Sequence, residues 1–302
     1  MVFPAKLLLF GEYTVLHGSM ALSVPLVEFS GQFSFAEPCT NEAAISNTQL
    51  KAFCNYIEEI IDALPFDIDI EKFKADICKG LYFNSNIPGG YGVGSSGALV
   101  AAVYATYAYK PLTPRCGNVE LSLLRNQLQV LENYFHGSSS GIDPLVSYSG
   151  WPIFTREDKS LTRLRGDKLH VNDIHIFLVD TKRFGNTLKN IQNFKQLMNG
   201  AEYKSAIHNS LVSQVNNCTS LYLRKDENTM TQIFNLSQMQ LEYFRAMIPD
   251  DFVEHFIHGL QYEKFSLKLC GSGGGGYMLG FTNKIGETKN YFSNFEIPLI
   301  EL

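Results

Sequence analysis

Several large functional classes are excluded by what this chain lacks. Its six cysteines, Cys39, Cys54, Cys78, Cys116, Cys218 and Cys270, are scattered through 302 residues with no Cys-x-x-Cys pair. That spacing fits neither a disulfide framework nor a cysteine zinc site, so they read as buried thiols in a reducing compartment. No uncharged stretch approaches the roughly eighteen residues that a membrane span needs. The apolar run Leu7–Phe10 is too short for a signal-peptide core and Glu12 follows closely, which leaves a cytoplasmic chain as the expectation. Charge is scarce at 18% of residues, with a net value of −5. General nucleic-acid binding, which wants a basic surface, is therefore not expected. No Walker P-loop, internal repeat or low-complexity linker is present.

What the chain has is apolar substance and glycine. Hydrophobic residues make up 45%, enough for a packed core in one large or two ordinary domains. The pattern predicts strands over 3–10, near 77–84, over 143–155 and 174–180, and at Phe265–Leu269 and Tyr277–Phe281. A turn at 17–19 separates two apolar strands within 12–24. Helical spacing appears over 48–63, from Ser95 onward, over 118–135 and across most of 187–262, with breaks near Gly200, 225–228 and Pro249. The charged stretch 156–170 is the best domain boundary.

The most informative stretch is Asn-Ile-Pro-Gly-Gly-Tyr-Gly-Val-Gly-Ser-Ser-Gly-Ala at 86–98. Glycines there let the backbone approach a ligand closely. Ser95 and Ser96 stand where a helix exposes unpaired N–H groups and the positive end of its dipole. Together these make an anion site, most plausibly for phosphate, held by local donors. Two patterns are decoys. Gly92-Val-Gly-Ser-Ser-Gly97 fits a dinucleotide fingerprint, but Pro88-Gly89-Gly90 precede it where a strand should, and the next acidic residue is Glu120. Gly137-Ser-Ser-Ser-Gly141 fits a nucleophile elbow, yet it follows a helix rather than a strand.

Other residues are ambiguous on their own. Ser96 can offer its hydroxyl to a magnesium ion or act as an ordinary N-cap. Asp143 can take or orient a hydroxyl proton, or simply serve a turn. Glu132 can chelate magnesium or lie on a solvated helix face. Lys6 can neutralise phosphate or lower the pKa of a nearby carboxylate. The second glycine run, 271–276, suits a flexible hairpin or close backbone approach to something else. His17, His136, His255 and His258 have no metal-ligand spacing and read as structural or surface residues.

Taken in order, three motifs resemble the GHMP kinase superfamily across nearly the whole chain: 4–18 (Pro-Ala-Lys-Leu-Leu-Leu-Phe-Gly-Glu-Tyr-Thr-Val-Leu-His-Gly), 88–98 and 268–276. Within it, 136–143 and 181–187 are similar to the mevalonate kinase block. The resemblance implies an α+β fold, with an S5-like N-terminal domain (1–165), a ferredoxin-like C-terminal domain (166–302) and the active site between them. It implies an ATP- and Mg²⁺-dependent kinase whose phosphate loop comprises Pro88, Gly89, Gly90, Gly92, Gly94, Ser95, Ser96 and Gly97. Ser96 and Glu132 would be the metal ligands, Asp143 the base and Lys6 its neighbour at the transferred phosphate. Glu12, His17, Thr187 and Gly273 would lie near the substrate, and the third motif would brace the phosphate loop. The implied acceptor is the 5-hydroxyl of mevalonate, with phosphomevalonate, a sugar or a non-catalytic ATP-binding role as alternatives. Implied partners are a small alcohol and ATP, without nucleic acid or membrane; a homodimer stays open. Three positions depart from the family pattern. Tyr13 stands where mevalonate kinases usually have histidine and phosphomevalonate kinases often have tyrosine. Gly97 stands for the usual alanine, and Ser138-Ser139 where a proline is common. The expectation that carries the rest is geometric: the glycine cradle and Asp143 should meet in one cleft.

Overall fold

The structure is a computed structural model that describes residues 1–36, 40–113, 117–166, 169 and 171–302. In chain order its first elements are β1 (Phe3–Phe10), β2 (Ala21–Phe35), α1 (Asn41–Glu59), α2 (Ile70–Cys78), β3 (Leu81–Ser85), α3 (Ser95–Tyr107), α4 (Asn118–His136) and α5 (Ile142–Ser149). Then come β4 (Ile153–Thr155), β5 (Leu161–Arg163), β6 (His175–Asp180), α6 (Thr187–Leu197), α7 (Ala201–Ala206), α8 (Val212–Arg224) and α9 (Thr229–Tyr243). The last are α10 (Asp250–Gln261), β7 (Ser266–Leu269), β8 (Tyr277–Thr282), α11 (Ile285–Ser293) and β9 (Leu299–Glu301). Antiparallel pairing with helices in separate runs makes the fold α+β. The chain divides into two compact units. The first holds 1–6, 25–88 and 94–151, the second 7–24, 89–93 and 152–302.

In the first unit the organising element is α3. Gly97, Ala98, Val100, Ala101, Ala102, Val103, Tyr104 and Tyr107 are all buried, so the helix is enclosed rather than amphipathic. Its small residues let other helices approach closely, and α4 and α5 both pack on it. Around them, α1 buries Leu50, Phe53, Cys54 and Ile57, a single stripe at helical spacing. The C-terminal half of β2 pairs antiparallel with β3, from Gly31 opposite Ser85 to Phe35 opposite Leu81.

The segment 143–149, expected as a strand, is instead helix α5. Pro144 lies in its first turn, where a missing N–H costs nothing, and Gly141 and Gly150 close its two ends in left-handed conformations. Leu145, Val146, Ser147 and Ser149 face inward. Because both sides of so short a helix are covered, its apolar run carries no helical period, and β-prone residues misled the reading. The strand itself is the short β4. Four elements, α2, β5, α11 and β9, were not anticipated, β5 lying within the charged stretch 156–170. β2 also runs on to Phe35, beyond the apolar segment that marked its start.

In the second unit β7, β8, β6 and β9 hydrogen-bond in that order, antiparallel throughout. All of β8 is buried, and α9 and α10 pack on β7. Phe177, Phe265, Phe281 and Phe292 fill this core. The far end of the Phe177 ring reaches over Gly280, its cross-strand partner. Of the cysteines, Cys54, Cys218 and Cys270 are buried free thiols, whereas Cys78 is exposed, which corrects the expectation for that residue. It sits in the last turn of α2, on the side away from Phe73 and Ile77. Cys39 and Cys116 lie outside the described residues. Among the described residues no helix is long and apolar enough to cross a membrane.

A methyl group on Gly280 would stand 2.1 Å from the Phe177 ring. Gly280→Ala should therefore cost about 1–3 kcal/mol, the usual range for overpacking a filled core. Urea unfolding checks this; an unchanged midpoint would show that the ring moves aside freely.

Candidate functional site

The first unit brings together one cluster of the expected residues. Lys6 lies on β1 between Ala5 and Leu7, both fully buried, and its Nζ is 2.7 Å from Asp143 Oδ1. The lysine side chain is 6% exposed and that of Asp143 29%, so the carboxylate reaches solvent while the ammonium beneath it does not. Gly94 opens α3 at φ 74°, a left-handed conformation that suits glycine. A Cβ there would lie 3.4 Å from both Asp143 Oδ2 and Lys6 Cβ. Gly97 is tighter, since its Cβ would stand 2.8 Å from the Asp143 carbonyl carbon and 2.9 Å from Pro144 N. The start of α3 and the start of α5 thus meet backbone to backbone, and Gly94 and Gly97, the glycines of the cradle that belong to this unit, adjoin Asp143. The departure at Gly97 has its cause here, because an alanine would press on the main chain that carries Asp143.

Two more side chains complete the cluster. Ser96 Oγ lies 3.1 Å from His136 Nε2, at the end of α4. Glu132, one turn earlier on α4, is 2% exposed and accepts a hydrogen bond from Ser139 Oγ. Burial holds the Glu132 pKa well above the carboxylate range, and the charge of Asp143 raises it further; Ser139, Lys6 and the Gly141 backbone act against this without offsetting it. Burial also lowers the His136 pKa, so its imidazole is neutral near pH 7. Of the charged groups that act on Glu132, Asp143 is an anion that raises its pKa and Lys6 a cation that lowers it. Oxygen donors on Ser96 and Glu132 suit a hard divalent cation. Among the described residues no group of three or more His, Cys, Asp or Glu side chains could hold a metal alone. Magnesium sites commonly use one or two carboxylates plus substrate phosphates and water, so the donor set still fits.

The second unit gathers the remaining expected residues around the second glycine run. Tyr13 donates its hydroxyl proton to the Ser272 carbonyl at 2.7 Å, and Ser272 Oγ bonds Thr187 Oγ1 at 3.2 Å. Asn190 Nδ2 donates to the Gly273 carbonyl at 2.6 Å. Gly274 and Gly276 donate their N–H groups to the carbonyls of Met247 and Arg183. Phe194 packs at a tilt against Tyr13 and also meets half-buried His17, whose pKa burial and His208 lower. Glu12 is buried with Lys268 in an ion pair, each side chain 1% exposed. Gly89, Gly90 and Gly92 belong to this unit, Pro88 to the first. Gly90 O accepts from Gly185 N, and a Cβ on Gly92 would strike the Cys270 carbonyl at 2.4 Å. The run is therefore a braced turn, not a loose hairpin. Sequence reading missed Ser139, His136 and Asn190 as site residues, and Lys268 as the partner of Glu12. None carries a local signal, since each is defined by a contact that only folding creates.

Comparison with known proteins follows the same line. Residues 51–150 match the GHMP kinases N terminal domain. A mevalonate kinase of Arabidopsis thaliana is 24% identical, with 91% of this chain and 88% of that protein aligned. The crystal structure of Methanococcus jannaschii mevalonate kinase shares the fold at TM-score 0.65 and 14% identity, covering all of this chain and 96% of that one. Streptococcus pneumoniae phosphomevalonate kinase in complex with phosphomevalonate and AMPPNP shares it at TM-score 0.64 and 13% identity, over 100% and 99% of the two chains.

Removing the cation from the buried pair would strand Glu12. Lys268→Met should destabilise the protein by about 3–5 kcal/mol at neutral pH, and adding Glu12→Gln should restore much of the loss. Unfolding midpoints of the single and double variants test this. A single variant as stable as the parent would mean that Glu12 finds water or another partner.

Proposed function

We propose, from the match of residues 51–150 to the GHMP kinases N terminal domain, that the chain is an ATP-dependent kinase that phosphorylates a small-molecule alcohol. The observation that carries this reading is the Lys6–Asp143 ion pair set against the glycine-opened start of α3. The first N–H groups of α3, from Ser95 to Gly97, have no partner within the helix and, with its dipole, suit the phosphates of ATP. Asp143 then accepts or orients the acceptor's hydroxyl proton as the oxygen attacks the γ-phosphorus and the bond to the β–γ bridging oxygen breaks. Transfer of this kind has a loose transition state, so placement and charge neutralisation dominate over proton removal. With Lys6 at 2.7 Å, Asp143 acts chiefly by orienting the hydroxyl, while the ammonium stabilises charge on the group in flight. Mg²⁺, held by Ser96 and Glu132, would supply the further neutralisation of phosphate charge that Lys6 alone does not.

For the acceptor, the mevalonate kinase relative favours mevalonate, phosphorylated at its 5-hydroxyl. Glu12, His17, Thr187 and Gly273 are then the acceptor-side residues, Glu12 acting through its pair with Lys268. One observation favours a phosphorylated acceptor instead. Arg183, Lys189 and Arg245 line a cavity of about 450 Å³ beside Gly274 in the second unit, and guanidinium groups suit phosphate well. Asp251 and Asp250 already engage the two arginines, which weakens that second reading.

ADP release measured with mevalonate, phosphomevalonate, galactose and homoserine separates the readings. Turnover is expected with mevalonate; turnover with phosphomevalonate alone would favour the arginine-lined cavity. Silence with every acceptor, from a chain that still binds ATP, would leave a non-catalytic module. On the active acceptor, Asp143→Ala and Lys6→Met should each lower kcat by at least about 10³, the scale of such electrostatic groups. Near-normal turnover in Asp143→Ala would overturn its assignment.

A further inference from the structure

The loop that joins α4 to α5 holds more than the turn its sequence suggests. Ser139 N–H donates to Asn133 Oδ1 at 2.9 Å, and Gln129 Nε2 donates to the Ser139 carbonyl at 2.6 Å. Two side chains of α4 therefore clamp the Ser139 backbone. Gly141 N–H then donates to Ser139 Oγ at 3.1 Å. A hydroxyl has one proton and two lone pairs. With Gly141 taking a lone pair, the proton goes to Glu132 Oε2, the contact observed. Three bonds thus aim one hydroxyl at one buried carboxylate oxygen. At the other side of the cluster, His136 Nε2 meets Ser96 Oγ from the last turn of the same helix. If that ring nitrogen accepts the serine proton, the lone pairs of Ser96 are left for another partner.

We propose that Ser139 and His136 are positioning residues for the divalent cation, Ser139 orienting the Glu132 carboxylate and His136 the Ser96 hydroxyl. This rests on the kinase reading above, in which Glu132 and Ser96 are the metal's protein ligands. Neither Ser139 nor His136 touches the metal; each fixes the side chain that does. A ligand oxygen already held by a neighbouring donor cannot swing away to solvent, so less order remains to be imposed when the cation arrives. Groups of this kind characteristically change metal affinity by about 10–100-fold when removed. The proposal also gives the serine at 139 a chemical reason, because a proline there would carry neither the hydroxyl nor the N–H that Asn133 receives.

The test uses the full chain and the non-hydrolysable analogue AMPPNP, titrated with and without Mn²⁺. The readout is the factor by which Mn²⁺ tightens analogue binding. Ser139→Ala should shrink that factor about tenfold or more while leaving metal-free analogue binding and the unfolding midpoint unchanged. Ser139→Thr, which keeps the hydroxyl, should retain most of it. His136→Phe should also shrink the factor, with His136→Gln recovering part. A parental factor in a folded Ser139→Ala chain would overturn the proposal for Ser139, and one in folded His136→Phe would overturn it for His136. Glu132→Gln keeps the two questions apart. If it too retains the parental factor, the metal assignment fails; if it alone loses the factor, the assignment stands and the positioning role falls. Should Ser139→Ala not fold, Ser139→Cys, which holds nearly the same volume with a weaker donor, decides by the same factor: a loss supports the proposal and no loss ends it.

Discussion

The chemistry of the first unit depends on one close approach, that of the Gly97 main chain to the main chain of Asp143. Without a side chain at 97, α3 and α5 meet at less than the separation any Cβ would permit. That contact sets the carboxylate beside the N-terminal turn of α3, and Lys6, buried on β1, meets it there. An ammonium so enclosed needs a charged partner, since desolvating it alone would be very costly. Asp143 supplies that partner from the half-exposed side, so its own free face stays toward solvent. Each feature follows from the one before. The missing Cβ gives the approach, the approach gives the pairing, and the pairing occupies Asp143 Oδ1 while the side chain stays partly exposed.

The parts of this arrangement that were legible in sequence are those the backbone itself demands. Gly94, and Gly271 with Gly273–Gly276, occupy left-handed conformations or close contacts that other residues resist, so their positions announce themselves. The helices α1, α4, α8 and α9 were visible because each buries one stripe at a 3.6-residue period. α5 was not, because it is short and covered on both sides, and α2 spans nine residues with Phe73 and Ile77 as its main inward contacts. The site shows the same division. Asp143 and Lys6 belong to motifs whose order along the chain suggested them, while Glu132 lies outside every such motif and came only with the resemblance those motifs carry. Ser139 and His136 became visible only as hydrogen-bond partners, Ser139 within a run of three serines and His136 as one of several histidines without metal spacing.

The second glycine run shows why such a segment is rigid despite its composition. A hairpin of four consecutive glycines would be expected to pay heavily in backbone entropy. Here most of its polar groups are engaged: the carbonyls of Ser272 and Gly273 accept from Tyr13 and Asn190, and the N–H groups of Gly274 and Gly276 donate to Met247 and Arg183. Thr181 adds both its hydroxyl and its N–H to the Gly276 carbonyl. Glycine is required because the braces come so near; a Cβ on Gly275 or Gly276 would collide with the backbone of 183–185 or of Tyr91. Composition suggests looseness, and the hydrogen bonds remove it.

The two buried lysines separate architecture from chemistry by their charge balance. Lys268 and Glu12 are one cation and one anion, both sealed from solvent, and Lys268 also donates to the Leu269 carbonyl at 3.0 Å. Such a pair costs desolvation to form and is strongly penalised when broken. Around Lys6 the count differs, because Glu132 is as deeply buried as Glu12 yet shares its one cation with Asp143. In the kinase reading proposed above, a carboxyl pushed that far toward its neutral form, beside a hydroxyl and a helix start rich in N–H donors, is where a divalent cation and phosphate would add the missing positive charge and take up the donors. Burial of charge alone does not distinguish a structural pair from a reactive one. The sign and size of what is left uncompensated does, and by that measure the Glu132 carboxyl, pushed toward its neutral form, differs from the paired Glu12.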